Sequence, residues 1–453
     1  MMRKLLFSAL CALTFTAAHA GGLMTNTNYH IAFDRMFARG ATTEIDAAYS
    51  NPAGLAWGHE GFQLSLNFQK PWQRRNIQLG TTKYEGIASA PIVPALFASY
   101  KKDRMAVSAM IGIVGSGGFV KYEQGVPQYN IMVQSMLGAI IPKLNQIPGI
   151  NIPTSYNLNS EMKGKQYIYG GQFNFTYKLL DCLSAAVGIR ANYYDGYYRG
   201  HVIADAQNEY GQLAKLLLDV DQKGWGFTPL VSINYHQGPL TLTARYEFRT
   251  KLNPENSTNI LDGGLGNGLV AKVAAVPVYG EAALAEIKKA LEPQLASATA
   301  PFQDGAHTRY DMPALLSIAA GYEFTPKLRA ALEYHFFDDK NAKMANNRQE
   351  ELTHGTHEIL AGVEYDINEK FTISCGGQRT DYGLSDGYQQ DTSFACDSYS
   401  VGLGGAWNIS DKMRLNVSYF CSLYSDYDKQ AAFGLETYSR TNHVIGVGLD
   451  YKF

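Results

Sequence analysis

Phe62, Leu64, Leu66 and Phe68 alternate with Gln63, Ser65, Asn67 and Gln69. A period of two, with one apolar and one polar face, predicts a β-strand. Leu240, Leu242, Ala244, Tyr246 and Phe248 repeat the pattern against Thr241, Thr243, Arg245, Glu247 and Arg249. Leu328, Ala330, Leu332, Tyr334 and Phe336 do so against Arg329, Ala331, Glu333 and His335. Along the whole chain the same test predicts fourteen strands, near 61-69, 94-101, 105-115, 166-178, 183-194, 225-235, 239-249, 313-324, 327-337, 357-367, 370-380, 398-409, 412-422 and 441-453. They run about 8–13 residues, longer than the usual ~5–6 of soluble sheets and close to tilted membrane strands.

The connections fall into two classes. Lys102-Asp103, Leu179 to Cys182, His236 to Gly238, Thr325-Pro326, Asn368-Glu369 and Ser410-Asp411 are short. Those near 70-93, 116-165, 195-224, 250-312, 338-356, 381-397 and 423-440 are long. Short and long alternate after the first strand. An up-and-down barrel puts every second connection on one side, and short turns opposite long loops are the outer-membrane arrangement. The expected fold is therefore all-β, a 14-stranded antiparallel transmembrane β-barrel. Ile445, Val447, Leu449, Tyr451 and Phe453 alternate to a terminal aromatic residue. That ending resembles the signal by which bacterial barrels are handed to the barrel-assembly machinery.

Composition agrees. The 453 residues include 30 Tyr and 21 Phe, and only 18% are charged, below the roughly 25% of soluble domains. A net charge of -2 gives no electrostatic case for nucleic acid. Arg3 and Lys4, the apolar stretch Leu5 to Thr16 and Ala18-His19-Ala20 form a signal peptide, with the mature chain expected from Gly21. No run of 18 apolar residues follows, so no transmembrane helix is predicted. Export plus a barrel predicts the outer membrane of a Gram-negative bacterium, with membrane lipid and lipopolysaccharide around the wall. The expected organisation is a signal peptide at 1-20, a plug (hatch) at 21-59 and the barrel at 60-453. Residues 21-59 lack sustained alternation and are long enough to enter the lumen, with a periplasmic tail as the alternative, and Asn51-Pro52 with Gly54 marks a tight turn there.

The run Gly40-Ala41-Thr42-Thr43-Glu44-Ile45-Asp46-Ala47-Ala48-Tyr49-Ser50-Asn51-Pro52-Ala53-Gly54-Leu55-Ala56 resembles the plug signature of the FadL/TodX-type hydrophobic-compound transporters. Asn51, Pro52 and Ala53 match that family's Asn-Pro-Ala motif. Gly224-Trp225-Gly226-Phe227, Arg245-Tyr246-Glu247-Phe248-Arg249 and Met312-Pro313-Ala314 are similar to its strand motifs. The resemblance implies a plugged monomeric barrel taking up long-chain fatty acids or other hydrophobic molecules, which leave laterally at a kinked third strand.

Candidate sites follow. Ser116, Gly117 and Gly118 end the third strand, and glycine there allows a bulge or bend; an ordinary strand end is the alternative. Ile131-Met132-Val133, Met136-Leu137, Ile140-Ile141 and Leu144 approximate one helical face. Such a face, with Met136 and Ile140, offers a ligand groove or simply packs as a cap. Arg190, Arg245, Arg249 and Arg329 are the inward-facing candidates to bind a ligand carboxylate, although Glu247 and Glu333 on the same faces could satisfy Arg245 and Arg329. Arg199 lies just beyond the fifth strand, where the resemblance implies a ligand-binding arginine. Cys396 and Cys421 both fall towards the long-loop side and could pair, whereas Cys182 sits at a short turn. No metal-ligand spacing, cofactor motif or nucleophile elbow occurs. A general porin, a structural or adhesive barrel and a barrel lipase are the rival readings.

Overall fold

The computed structural model describes residues 29–90 and 92–453. The signal segment 1-20 and the first residues of the 21-59 segment lie outside the described residues. The wall has fourteen strands: β1 (Gly61–Leu79), β2 (Val93–Lys102), β3 (Met105–Tyr122), β4 (Asn157–Leu180), β5 (Leu183–Asp205), β6 (Gln212–Gln237), β7 (Leu240–Glu247), β8 (Leu315–Thr325), β9 (Leu328–Phe337), β10 (Thr356–Asp366), β11 (Phe371–Asp381), β12 (Ser398–Ser410), β13 (Met413–Tyr424) and β14 (Gly434–Lys452). Each pairs antiparallel with its sequence neighbour, and β14 returns to β1 from Gln63↔Lys452 to Leu79↔Glu436. The sheet is closed, so it has no edge to leave unsatisfied in lipid. All fourteen predicted strands overlap these wall strands.

Burial along the strands is inverted relative to a soluble sandwich. On β1, Gln63, Ser65, Asn67 and Gln69 are buried while Phe62, Leu66 and Phe68 are exposed. Lipid, not a second sheet, receives the apolar face. Aromatic rings gather at both ends of that face. Phe62 against Phe453 and Phe371 against Trp407 lie on the short-turn side, with Tyr193 against Trp225 and Tyr246 against Phe248 on the other. Two such girdles mark the two interfaces of a bilayer.

Several long connections turn out to be strand. The segment expected as a connection at 195-224 is mostly a β5–β6 hairpin continuing to Asp205↔Gln212. The outward positions of this extension carry ion pairs, Lys165 to Asp195 and Lys215 to Asp262 among them. It stands in water, above the apolar band, so apolar alternation could not trace it. Strands Thr82–Ser89, Glu255–Leu265 and Tyr427–Ala431 extend β1, β6 and β14 in the same region.

The helices α3 (Pro127–Leu144), α4 (Asn267–Ala274) and α5 (Gly280–Thr299) complete a cap at the long-loop end of the barrel. Its core joins Val133, Leu137 and Ile141 of α3 to Leu269, Leu284 and Leu291 and to Tyr122, Phe394 and Tyr438. This core is of the soluble-protein kind, buried against itself. Cys396 lies inside it, while Cys421 is on the outward face of β13, and both thiols are free. The two therefore do not pair: side chains on opposite faces of the wall cannot bridge.

Candidate functional site

Residues 30–57 lie within the barrel and form α1 (Ile31–Met36), α2 (Ala47–Ser50) and a 3-10 turn at Pro52–Trp57. His30 caps α1, its Nδ1 accepting from the amide of Ala32 at 3.1 Å. Ile31, Phe33 and Met36 are buried, and Phe37, at φ 61°, is wedged between Phe33 and Phe420. A bulky residue at positive φ persists only where packing fixes it.

The wall is shaped to receive α1. Gly362, Gly376 and Gly402 are register partners on β10, β11 and β12, all facing inward. A Cβ at Gly362 or Gly376 would lie 2.1 or 2.0 Å from the Met36 carbonyl oxygen, and one at Gly402 2.1 Å from that of Asp34. The row lets helix backbone touch sheet backbone. Beside it, Arg35 donates to Glu364 and to Ser374 Oγ at 2.7 Å, and both members of the ion pair are fully buried. Arg39 bridges Asp46 and Glu44, and Glu44 also holds Arg414 of β13.

Asn51, Pro52 and Ala53 meet the wall at β4, β5 and β6. The Asn51 amide donates to Asn234 Oδ1 at 3.1 Å, and the Ala53 amide to Ser232 Oγ at 3.1 Å. Thr176 and Ser184 donate to the Pro52 and Ala53 carbonyls at 2.8 and 2.6 Å. Asn51 thus bonds the wall as well as ending α2. Arg190 makes a fork to Glu247 at 2.5 and 3.2 Å, also donates to Gln172, and lies 5.5 Å from the Tyr49 ring. Arg245 shares Glu247 and donates to the Tyr49 carbonyl. Arg329 is paired with Glu364 and Asp366, and Arg249 lies near Asp311. These cations serve the protein's own carboxylates and backbone.

Arg199 lies inside β5, not beyond it. Its side chain is on the outer face, bonded to Asp219 at 2.9 Å and Asp221 at 3.0 Å and stacked on Tyr197. Met136 and Ile140 point into the cap core and are buried. Helical periodicity revealed the apolar face but not what covers it. A small cleft opens one turn away, lined by Val126, Tyr129, Met132, Met162, Leu218 and Phe302.

β3 is where the wall is irregular. Its ladder with β2 ends at Leu96↔Ile111, and it meets the Thr82–Ser89 strand only at Val120 to Tyr122. On the β4 side the register shifts twice, between Ile113 and Gly115 and between Ser116 and Gly118. Gly118 has φ 70°, a backbone state that favours glycine. Inside this bend is a cavity of about 120 Å³, bounded by Tyr29, Phe33 and Asp34 of the inner segment, by Val93 and Ile113 of the wall, and by Asn442. The glycine row and this cavity escaped the sequence reading. An inward-facing glycine at matched positions of three successive strands was the available signal for the row.

One cluster bears on the lipase rival. Ser65 and His30 lie 3.1 Å apart and both contact Asp450. Serine and carboxylate share the same imidazole nitrogen, while the other accepts from Ala32. No base-to-orienter chain is formed, and Ser65 is fully buried.

Comparison with known proteins places this geometry. The outer membrane protein beta-barrel domain family matches residues 269–453. No curated protein matches the chain. Among solved structures, a FadL homologue of Pseudomonas aeruginosa is 13% identical, with 96% of this chain and 100% of that one covered at a TM-score of 0.64. The toluene transporter TodX of P. putida is 13% identical, with 91% and 95% covered at 0.57. The toluene transporter TbuX of Ralstonia pickettii is 14% identical, with 90% and 94% covered at 0.51. The chain has the closed β-barrel fold of the FadL- and TodX-type proteins, and its residues 269–453 match an outer membrane protein beta-barrel domain.

Proposed function

We propose that the protein takes up hydrophobic molecules across the outer membrane, fatty acids or hydrocarbons among them, by passive diffusion. Within the 21-59 segment, residues 29–59 act as a hatch that closes the axial route, and substrate leaves sideways through the wall at Ser116, Gly117 and Gly118. The bend in β3, with a cavity between it and the inner segment, carries this reading. An axial pore would need no interrupted ladder and no chamber behind it, walled on one side by Phe33, Val93, Ile113 and Phe420. Transfer into lipid also suits the cargo, since each CH₂ kept from water is worth about 0.8 kcal/mol. A general porin fits less well, because residues 30–57 are packed into the lumen by buried ion pairs. The cleft at Val126, Tyr129 and Met132 is the natural point of first capture, in place of Met136 and Ile140.

Replacing Gly117 and Gly118 by Val tests the exit. Valine disfavours the positive φ of residue 118 and favours extended, paired strand. Uptake of radiolabelled toluene or decanoate by cells carrying the assembled variant should fall to the level of cells lacking the protein. Uptake equal to wild type, at equal surface abundance, would rule out this exit.

A further inference from the structure

The inner arginines divide into two sets. In the lower lumen Arg35, Arg39, Arg190, Arg245, Arg329 and Arg414 each have a carboxylate partner. Above them Arg75, Arg348 and Arg440 have none among the described residues. Arg75 and Arg440 are cross-strand partners on the inner face of β1 and β14, and like charges placed directly opposite repel. Arg440 lies 4.8 Å from the Tyr424 ring. Arg75, 2% exposed, donates to the Phe394 carbonyl at 2.7 Å and covers the Phe394 ring. Arg348 donates to the Tyr388 carbonyl at 2.6 Å and to that of Ser393.

All these carbonyls belong to one segment. Residues 388–396, between β11 and β12, are polar in sequence yet buried at every position. They fold inward and occupy the space in front of the arginines. Directly below, Gln73 and Asn442 are the next inward pair of the same ladder, and both line the cavity behind the β3 bend. The Asn442 amide oxygen is buried and has no hydrogen-bond partner. The cavity, which Asp34 and Gln69 also line lower down, reaches the Gln73 and Asn442 pair at its upper end, and the next inward pair of the ladder is the two like cations.

We propose that Arg75 and Arg440 form a binding site for the carboxylate of an amphiphilic substrate whose apolar part lies in the cavity, and that segment 388–396 is a strap which the carboxylate displaces. This rests on the uptake reading above. A carboxylate can take a bidentate, charge-assisted bond from arginine, stronger than the neutral carbonyl bond it replaces. It also neutralises the repelling pair. The cavity volume, about 120 Å³, is close to the ~150 Å³ that accommodates one aromatic ring, so a one-ring acid is the natural probe.

The test is titration of the full mature chain in detergent at pH 8 with 3-phenylpropionate and with 3-phenylpropanol, which share a skeleton. Wild type should bind the acid about tenfold more tightly, the difference between charged and neutral hydrogen bonding. Arg440→Gln should bring the ratio near one and leave alcohol binding unchanged, while Arg440→Lys keeps part of the preference. Because Arg440 opposes Arg75, the glutamine variant should also unfold at the same temperature as wild type or a higher one. A merely structural arginine would lower it. Acid binding should in addition expose segment 388–396 to protease. If the alcohol binds and the acid is no tighter, or if Arg440→Gln and Arg75→Gln both keep the preference, the anion site is wrong and the uptake reading stands. If neither probe binds, the uptake reading fails as well.

Discussion

The glycine row makes a quantitative demand on the hatch. Replacing Gly362 and Gly376 with Ala puts two Cβ atoms 2.1 and 2.0 Å from the Met36 carbonyl oxygen, where ordinary contact begins at 3.4 Å. Met36 must then retreat by about 1.3–1.4 Å. Overpacking costs about 1–3 kcal/mol per site, so about 2–6 kcal/mol for the pair. Against this stand Ile31, Phe33, Met36 and Phe37, whose burial contributes about 1.5–3 kcal/mol each. The cost is a substantial part of what holds α1, so the helix should loosen and populate a displaced state while the barrel remains closed. In planar bilayers the variant should show larger and noisier conductance than wild type, and trypsin should cleave after Arg35 or Arg39. Gly377→Ala, on the opposite face and with 3.7 Å to its nearest neighbour, is the control and should change neither. Wild-type conductance together with full protection of Arg35 in the double variant would refute the idea that backbone contact at this row holds α1.

Two further outcomes follow from the cap and the cysteines. Asp391 accepts from the Gln128 amide at the start of α3 and from Tyr438; burial, with Glu436 nearby, pushes its pKa up to about 6. A raised pKa means the protonated carboxyl is the better fit, so this contribution is full below about pH 4 and is lost as pH rises through about 6. It is worth on the order of 3 kcal/mol, and protection from hydrogen exchange at the start of α3, taken relative to the intrinsic exchange rate at each pH, should be greater at pH 5 than at pH 7, a difference that Asp391→Asn removes. Thiol counting on the denatured mature chain should find Cys182, Cys375, Cys396 and Cys421 all free, and a peptide map with Cys396 joined to Cys421 would contradict their opposite-face placement.

What the sequence disclosed, and what it hid, divides by solvent. Wherever a strand crosses lipid, apolar and polar residues must alternate, and β1 or β9 could be read residue by residue. Above the membrane, water bathes the outer face. Lys165, Asp195 and Arg199 replace leucine and phenylalanine there, and the hairpins of β5 and β6 looked like loops. The Asn51-Pro52-Ala53 turn was visible because proline and asparagine carry local geometry. Its docking to Ser232 and Asn234 was not, being a contact across roughly 180 positions. Arg190 and Arg245 were correctly placed as inward cations, but only the fold reveals that Glu247 lies between them. The meeting of Arg75 and Arg440 is hidden from sequence for the same reason, since it depends on closure of β14 on β1.

The central claim is that a hydrophobic molecule passes from the lumen into the wall behind β3, and a heavy-atom ligand addresses it directly. Crystals of the mature protein soaked with bromobenzene should show an anomalous bromine peak inside the cavity bounded by Phe33, Val93, Ile113 and Asn442. The same peak should vanish when Ile113→Trp fills that space. Bromine found only on the outer, lipid-facing surface, or along the barrel axis through the hatch, with the cavity empty at saturating ligand, would contradict the account.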